Sequence, residues 1–296
     1  MDTQFDKMPR IQWDCKSDMD SMISSYVQMR DNLIHKLRNS ESSICEDCPQ
    51  IERDNYSLDK KIQVLTFEFN SPCQLSCVYC VRRNAVSNKD MEDLVRHFDY
   101  QAFLEILEKR GLISENTLIG IVGGEFSIDP RKQELLNIFD KYRWKILTNA
   151  VVFDNALAEV GGKLGNSMNV SVDAGTRETF KKIKGMDVSD QVWENIRRYI
   201  EHGATVDLKY IFLPENSDDE NVENFIKKAL NARVSTILIS ANIIKTAPHT
   251  DDQIRLMAKM YRLAENNGMT PQIMRGEVPG DDVVKIQKIL EENAIC

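Results

Sequence analysis

Hydrophobic positions follow two different spacings along this chain. From residue 17 to residue 40, apolar side chains recur every three or four positions, which predicts an amphipathic helix. From residue 62 onwards, short apolar runs typical of strands alternate with longer segments of helical spacing. The predicted strands are Ile62–Phe69, Thr117–Val122, Lys145–Leu147, Met168–Val172, Thr205–Phe212 and Val234–Ser240, with a shorter one near Gln272–Met274. The predicted helices are Met91–Lys109, Arg131–Lys141, Asp154–Leu164, helices within 177–202, Asp219–Asn231, Asp251–Asn267 and 281–292.

The alternation of strands with helices predicts right-handed βαβ units and a parallel sheet. Six such units are too few for a closed eight-stranded barrel. We therefore expect an α/β fold, a partial (β/α)6 TIM-type barrel with parallel strands, with a doubly wound sheet as the alternative. The expected division is an N-terminal helical extension containing cysteines (1–60), a strand–helix core (61–245) and a C-terminal helical segment completing the core (246–296).

Charge and composition narrow the function. The chain has 296 residues, a net charge of −8 and a pI near 5.2. That balance repels phosphate backbones, so no nucleic-acid partner is expected. The short basic run of Lys181, Lys182 and Lys184 is interpreted as a solvated helix face.

Targeting signals are not apparent in the sequence. There is no run of about 18 apolar residues that could span a membrane, and the N-terminus has no apolar signal core. We expect a cytoplasmic protein without a membrane partner. In that compartment the seven cysteines stay reduced, so clusters of them indicate metal binding or redox chemistry.

Three cysteines stand directly after the first predicted strand. Cys73, Cys77 and Cys80 form a C-x3-C-x2-C triplet. Three thiolates can hold three corners of a [4Fe–4S] cluster and leave the fourth iron open for a ligand. A zinc site is the alternative, but it requires a fourth ligand nearby, and no cysteine follows Cys80 until Cys296.

The triplet, with Tyr79 in its aromatic position, resembles the signature of the radical S-adenosylmethionine (SAM) superfamily, although Gln74 stands where many members have Asn. The resemblance implies a [4Fe–4S] cluster whose open iron chelates the methionine of SAM, with Tyr79 against the adenine. It further implies reductive cleavage of SAM to a 5′-deoxyadenosyl radical, which abstracts hydrogen from a substrate.

Further motifs that resemble this family end the next predicted strands. Gly123, Gly124 and Glu125 match a Gly-Gly-Glu that binds the methionine ammonium in the family, and the alternative is an ordinary turn. After the third strand, Asn149 is expected to contact SAM or substrate, with a helix N-cap as the competing interpretation.

The fourth and fifth strands end with three more candidates. Ser171 and Asp173 match the family's Ser-x-Asp segment and are expected on one face of the strand, bonded to the carboxylate or ribose of SAM or to substrate. The alternative is that Asp173 or Thr176 caps the next helix. Lys209 can reach a carboxylate or can be an exposed charge. All these candidates lie at the carboxyl edge of a parallel sheet, where such folds place their active sites.

A second group of cysteines lies before the core. Cys15, Cys45 and Cys48, with Cys296 as a further candidate, are assigned to an auxiliary [4Fe–4S] cluster; a zinc site and unliganded thiols are the alternatives.

The resulting hypothesis is a radical SAM enzyme that takes electrons from a donor such as flavodoxin or ferredoxin. Its expected substrate is a small metabolite (an amino acid or sugar derivative) or, second, a peptide. Two other functions stay open at this stage: a non-catalytic iron–sulfur protein for electron transfer or redox sensing, and a zinc-stabilised binding protein.

Overall fold

The computed structural model describes residues 18–45, 61–68, 72–80, 98–243 and 248–292. They fall into two compact units. Within the described residues, the first unit comprises 18–45, 61–62 and 98–114, and the second comprises 63–68, 72–80, 115–243 and 248–292. The predicted division into 1–60, 61–245 and 246–296 stays a prediction.

The first unit contains two helices, α1 (Met19–Arg38) and α2 (Tyr100–Lys109). Each begins after an aspartate, Asp18 or Asp99, whose carboxylate accepts a hydrogen bond from a backbone N–H of the first turn. The helix predicted over 17–40 is therefore confirmed. For the helix predicted over Met91–Lys109, the part before residue 98 lies outside the described residues.

The second unit is built on seven parallel strands in sequential order. Doubly wound sheets reverse their strand order, so the sequential order favours the barrel interpretation over the doubly wound alternative. Within the described residues the two outer strands pair only inward, so the sheet is a partial barrel, as predicted. The strands are β1 (Val64–Glu68), β2 (Leu118–Val122), β3 (Arg143–Thr148), β4 (Ser167–Ser171), β5 (Val206–Phe212), β6 (Thr236–Ala241) and β7 (Thr270–Ile273).

Helices connect or follow the strands close to their predicted positions. The predicted segment within 177–202 divides into two helices. The division falls after Gly185, which has a left-handed φ of 77° and ends the first of them. The helices are α3 (Lys132–Phe139), α4 (Asn155–Gly161), α5 (Arg177–Lys184), α6 (Ser189–Glu201), α7 (Asp219–Asn231), α8 (Asp251–Asn266) and α9 (Gly280–Glu292).

The two faces of the sheet differ in chemistry. One face is apolar and buried: it carries Trp144, Ile146 and Tyr210, whose ring lies 4.9 Å from that of Phe225 on α7. The strand register aligns polar side chains on the other face, namely Lys145, Ser167, Asn169, Ser171, Asp207 and Lys209. A sheet that packs only against helices is apolar on both faces. The polar face is therefore suited to meeting a polar ligand.

Candidate active site

The three core cysteines lie on a loop beyond the carboxyl end of β1. The cysteine loop (residues 72–80) is fixed at one end by the N–H of Glu125, which donates to the carbonyl of Pro72 at 3.0 Å. At the other end the N–H of Cys80 donates to the carbonyl of Cys77 at 3.1 Å, which closes a turn. All three side chains are thiols; Cys73 is exposed, and Cys77 and Cys80 are half-buried.

The thiols lie close enough to influence one another. Burial raises the pKa of the Cys77 thiol, the cation of Lys184 opposes that rise, and negative charge on Cys73 or Cys80 adds to it. Although part of Cys73 faces solvent, the surrounding protein desolvates its thiol and raises its pKa as well. Clustered thiols that resist ionisation alone are stabilised as thiolates by a positive metal centre.

This donor set fits an iron–sulfur cluster. Among the described residues, no three His, Cys, Asp or Glu side chains converge closely enough to bind a single metal ion. A cubane cluster does not require such convergence, because each thiolate binds a different iron. Three neighbouring thiols on one short loop are the ligands that such a cluster takes.

The C-terminal end of α5 is hydrogen-bonded to the cysteine loop. The carbonyl of Lys184 accepts a hydrogen bond from the N–H of Ser76 at 3.0 Å, and the carbonyl of Ile183 accepts one from Val78 at 2.9 Å. Carbonyls in the last turn of a helix have no partner within the helix. The cysteine loop supplies two of those partners.

Lys184 also reaches the loop with its side chain. Its Nζ donates to the hydroxyl of Tyr79 (2.6 Å), to a carboxylate oxygen of Asp173 (2.5 Å) and to the carbonyl of Ser171 (2.8 Å). The Tyr79 hydroxyl donates to the same oxygen of Asp173. Burial and the charge of Asp173 raise the pKa of Tyr79 well above its ordinary value, so the phenol keeps its proton.

The solvated helix face predicted for the basic run is wrong for Lys184. Lys181 and Lys182 are exposed, whereas the side chain of Lys184 is 1% exposed and that of Asp173 is fully buried. The reason is helical geometry, because α5 turns Lys184 to the side that bears the buried Ile183 and Phe180.

Asp173 lies differently from the predicted strand arrangement. β4 ends at Ser171, and Asp173 has a left-handed φ of 58°, so its carboxylate leaves the expected strand face and accepts from the N–H of Ile211 at 2.7 Å. Of the two alternative caps, Thr176 is the N-cap of α5. Asp173 is instead the buried anion of the Lys184 pair.

The Gly-Gly-Glu segment follows β2. Gly123 and Gly124 have φ values of 86° and 85°, a conformation that favours glycine and leaves the backbone open to close approach. The Glu125 carboxylate is fully buried. It accepts from the Thr148 hydroxyl at 2.8 Å and from the Asn149 N–H at 2.6 Å. Glu125 thus ties the ends of β2 and β3 together.

Asn149 lies beside the cysteine loop. Its side-chain nitrogen is 3.6 Å from Cys73 Sγ and 3.2 Å from the side-chain oxygen of Gln74. It does not cap the next helix, because Asp154 is the N-cap of α4. The N-cap interpretation of Asn149 is therefore wrong, and the structure brings Asn149, Glu125 and Cys73 together.

Ser171 and Lys209 are neighbours in the register of β4 and β5. Lys209 is 9% exposed, so the interpretation as an exposed charge is wrong. Its Nζ forms an ion pair with Glu277 at 2.6 Å, and the Ser240 hydroxyl also donates to Glu277. Glu277 follows β7 in a segment without a recognisable motif, so this pairing could not be predicted from the sequence.

Of the second group of cysteines, the structure describes Cys45 alone. Cys15, Cys48 and Cys296 lie outside the described residues. Cys45 belongs to the first unit and is buried, and its N–H donates to the Ser43 hydroxyl at 3.3 Å. The auxiliary cluster on Cys15, Cys45 and Cys48 stays a prediction.

Comparison with known proteins determines the family. A family model for the radical SAM superfamily matches residues 68–260, which is more than half of the chain. This chain belongs to the radical SAM superfamily. The family implies a [4Fe–4S] cluster and SAM. The matched range includes the cysteine loop and the motif residues at the carboxyl edge of the sheet, hereafter the edge motifs: Gly123, Gly124, Glu125, Asn149, Ser171, Asp173 and Lys209.

The radical SAM chain also has curated relatives. It is 24% identical over 155 residues to a GTP 3′,8-cyclase from Desulforamulus reducens, covering 50% of this chain and 45% of that enzyme. A GTP 3′,8-cyclase from Synechocystis is 22% identical over 172 residues, covering 55% of this chain and 50% of that enzyme. The chain thus spans about half the length of these relatives.

Solved structures share the fold. SuiB from Streptococcus suis, bound to S-adenosylmethionine, matches with a TM-score of 0.53 and 14% identity over 89% of this chain and 54% of SuiB. Its complex with the precursor peptide SuiA gives a TM-score of 0.55 at 14% identity, over 89% of this chain and 56% of SuiB. Native anSMEcpe with bound AdoMet matches with a TM-score of 0.55 and 13% identity, over 71% of this chain and 63% of that chain.

None of the helices in the described residues has both the length and the apolar character that a membrane span requires.

Proposed function

We propose that this chain is an enzyme that binds a [4Fe–4S] cluster on Cys73, Cys77 and Cys80 and cleaves SAM reductively. The observation that carries the proposal is the position of three free thiols on one short loop at the carboxyl edge of a parallel partial barrel. When bound, the family's cluster supplies an electron to SAM and thereby a 5′-deoxyadenosyl radical that abstracts hydrogen from substrate.

The neighbouring residues have separate proposed tasks toward SAM. The backbone at Gly123 and Gly124 receives the methionine ammonium, while Glu125, whose carboxylate is already hydrogen-bonded, holds that loop and Asn149 in place. The side chain of Asn149 orients Cys73 or contacts SAM directly.

The opposite side of the proposed SAM site is formed by the ends of β4 and β5. The half-buried ring of Tyr79 provides an apolar wall for the adenine. We propose that Ser171 and Lys209 bind the carboxylate or ribose of SAM, or the substrate. Because Lys209 is paired with Glu277, it can bind such a ligand only if it shares its ammonium between the two or gives up Glu277. Asp173 contributes by fixing Tyr79 and Lys184, because its carboxylate is fully buried.

The proposed substrate is a small polar metabolite, such as an amino acid or sugar derivative, with a peptide as the second choice. The polar face of the sheet supports a polar substrate: the side-chain oxygen of Asn169 is buried there without a hydrogen-bond partner among the described residues. The GTP 3′,8-cyclase relatives favour a small molecule, and the SuiB–SuiA complex favours a peptide.

Two further components belong to the proposal. The proposed electron donor is a flavodoxin or ferredoxin, and the proposed ligands of an auxiliary [4Fe–4S] cluster are Cys15, Cys45 and Cys48.

The test is the formation of 5′-deoxyadenosine. The protein is purified without oxygen, reconstituted with iron and sulfide, reduced with dithionite and incubated with SAM, and the products are separated by chromatography. The proposal predicts deoxyadenosine from the wild type and none from the C73A/C77A/C80A variant. An iron-loaded and reduced wild type that forms none would instead support an electron-transfer or redox-sensing protein, and a colourless protein loaded with zinc would support a zinc-stabilised one.

A further inference from the structure

We infer that Lys184 is a positioning residue for the cluster. Its buried ammonium holds the Tyr79 end of the cysteine loop, and its charge cancels that of Asp173, so that the buried pair beside the loop is neutral overall. The inference rests on the proposed cluster at Cys73, Cys77 and Cys80. Lys184 lies outside the cysteine triplet, on α5.

Lys184 joins three parts of the site. Its three hydrogen bonds run to the cysteine loop at Tyr79, to the end of β4 at Ser171 and to the turn after β4 at Asp173. Its backbone carbonyl accepts a further bond from Ser76 of the loop. An ammonium has three protons to donate, and all three are used here.

Burying the Lys184–Asp173 ion pair costs free energy. A lysine that is 1% exposed and an aspartate that is fully buried have both lost their hydration, and such a pair is a poor source of stability. A solvated lysine at the end of α5 would serve the helix equally well, as Lys181 and Lys182 do. The buried pair is therefore better explained by its position beside the cysteines than by folding.

The charges of Lys184 and Asp173 also act on the cysteine loop. Lys184 lies 5.1 Å from the centre of the Tyr79 ring, and Tyr79 stands between Cys77 and Cys80 along the loop. Charges in a poorly solvated site interact strongly with one another. A cation near the cluster stabilises its reduced, more negative form, and an anion destabilises it. With both Lys184 and Asp173 present, their opposite effects on the reduced form cancel. When one of the two charges is removed, the effect of the remaining charge is no longer cancelled.

The experiment is a redox titration of the reconstituted protein, followed by EPR of the reduced cluster. Lys184→Met leaves Asp173 uncompensated, so the midpoint potential is expected to shift to a more negative value. Asp173→Asn leaves the cation uncompensated and is expected to shift the potential to a more positive value. The double variant K184M/D173N is neutral again and is expected to return toward wild type.

The matched control is Lys182→Met, which removes the same charge from an exposed position two residues earlier on the same helix. Solvent screens that position, so its shift should be much smaller. Potentials for Lys184→Met that equal those of Lys182→Met, or shifts of the same sign for Lys184→Met and Asp173→Asn, would overturn the inference.

Two further outcomes are interpretable. If Lys184→Met does not retain iron, Asp173→Asn alone decides: a positive shift supports the inference, and an unchanged potential overturns it. If the wild type itself takes up no cluster, the proposed function fails first, which separates that failure from a failure of the role assigned to Lys184.

Discussion

Single residues of the edge motifs have two different roles. Some side chains are placed to contact a ligand, and others hold the first kind in position through hydrogen bonds. Asn149 has its amide beside Cys73, whereas Glu125 is fully buried behind it and accepts the backbone N–H of Asn149. The sequence indicated both residues but not this division. Spacing shows that two residues lie at one edge of a sheet, whereas the direction of each side chain depends on local φ values, such as the left-handed ones at Gly123 and Gly124.

Glu125→Gln tests this division. The amide can no longer accept at both ends, so at least one of the donors on Thr148, Asn149 and Ser127 loses its partner. We expect a loss of about 2 kcal/mol in the free energy of unfolding, measured by urea denaturation. The exposed Glu159→Gln on α4 is the control and should stay near wild type. Equal midpoints for the two variants would show that the Glu125 carboxylate does not carry this link.

At the scale of elements, hydrophobic spacing predicted almost every strand and helix in the described residues. α7 was predicted with the bounds it has, Asp219–Asn231, because its apolar side is continuous and Asp218 caps it. The buried lysines were harder to foresee. Lys209 lies in a strand that is buried along its whole length, and its partner Glu277 is remote in sequence and belongs to no periodic element.

Glu277→Gln tests whether this pair fastens the segment after β7 to β5. Removing one partner of a buried ion pair leaves the other charge uncompensated, so we expect a loss of about 3 kcal/mol in the free energy of unfolding. A double-mutant cycle with Lys209→Met should give a coupling energy of about 1–3 kcal/mol. The exposed Glu265→Gln on α8 is the matched control. A coupling energy near zero would mean that Lys209 is available for SAM or substrate without breaking this pair.

At the scale of the whole molecule, the sequential order of seven parallel strands brings the cysteine loop, the Gly-Gly-Glu segment, Asn149 and Ser171 to one edge. The predicted strand–helix rhythm was sufficient for that conclusion, because carboxyl ends of parallel strands share an edge. The substrate was not predictable in the same way. Substrate contacts depend on loops and on terminal segments, which follow no periodic pattern, and several of those lie outside the described residues.

We propose that three thiolates hold a cluster whose fourth iron is open to SAM. This proposal is tested by the EPR spectrum of the reduced, reconstituted protein before and after addition of SAM. We expect SAM to change the spectrum of the wild type, because SAM would become a ligand of the open iron, and we expect the C73A/C77A/C80A variant to lack the SAM-responsive signal. A wild-type cluster signal that SAM leaves unchanged would show that the fourth iron does not bind SAM.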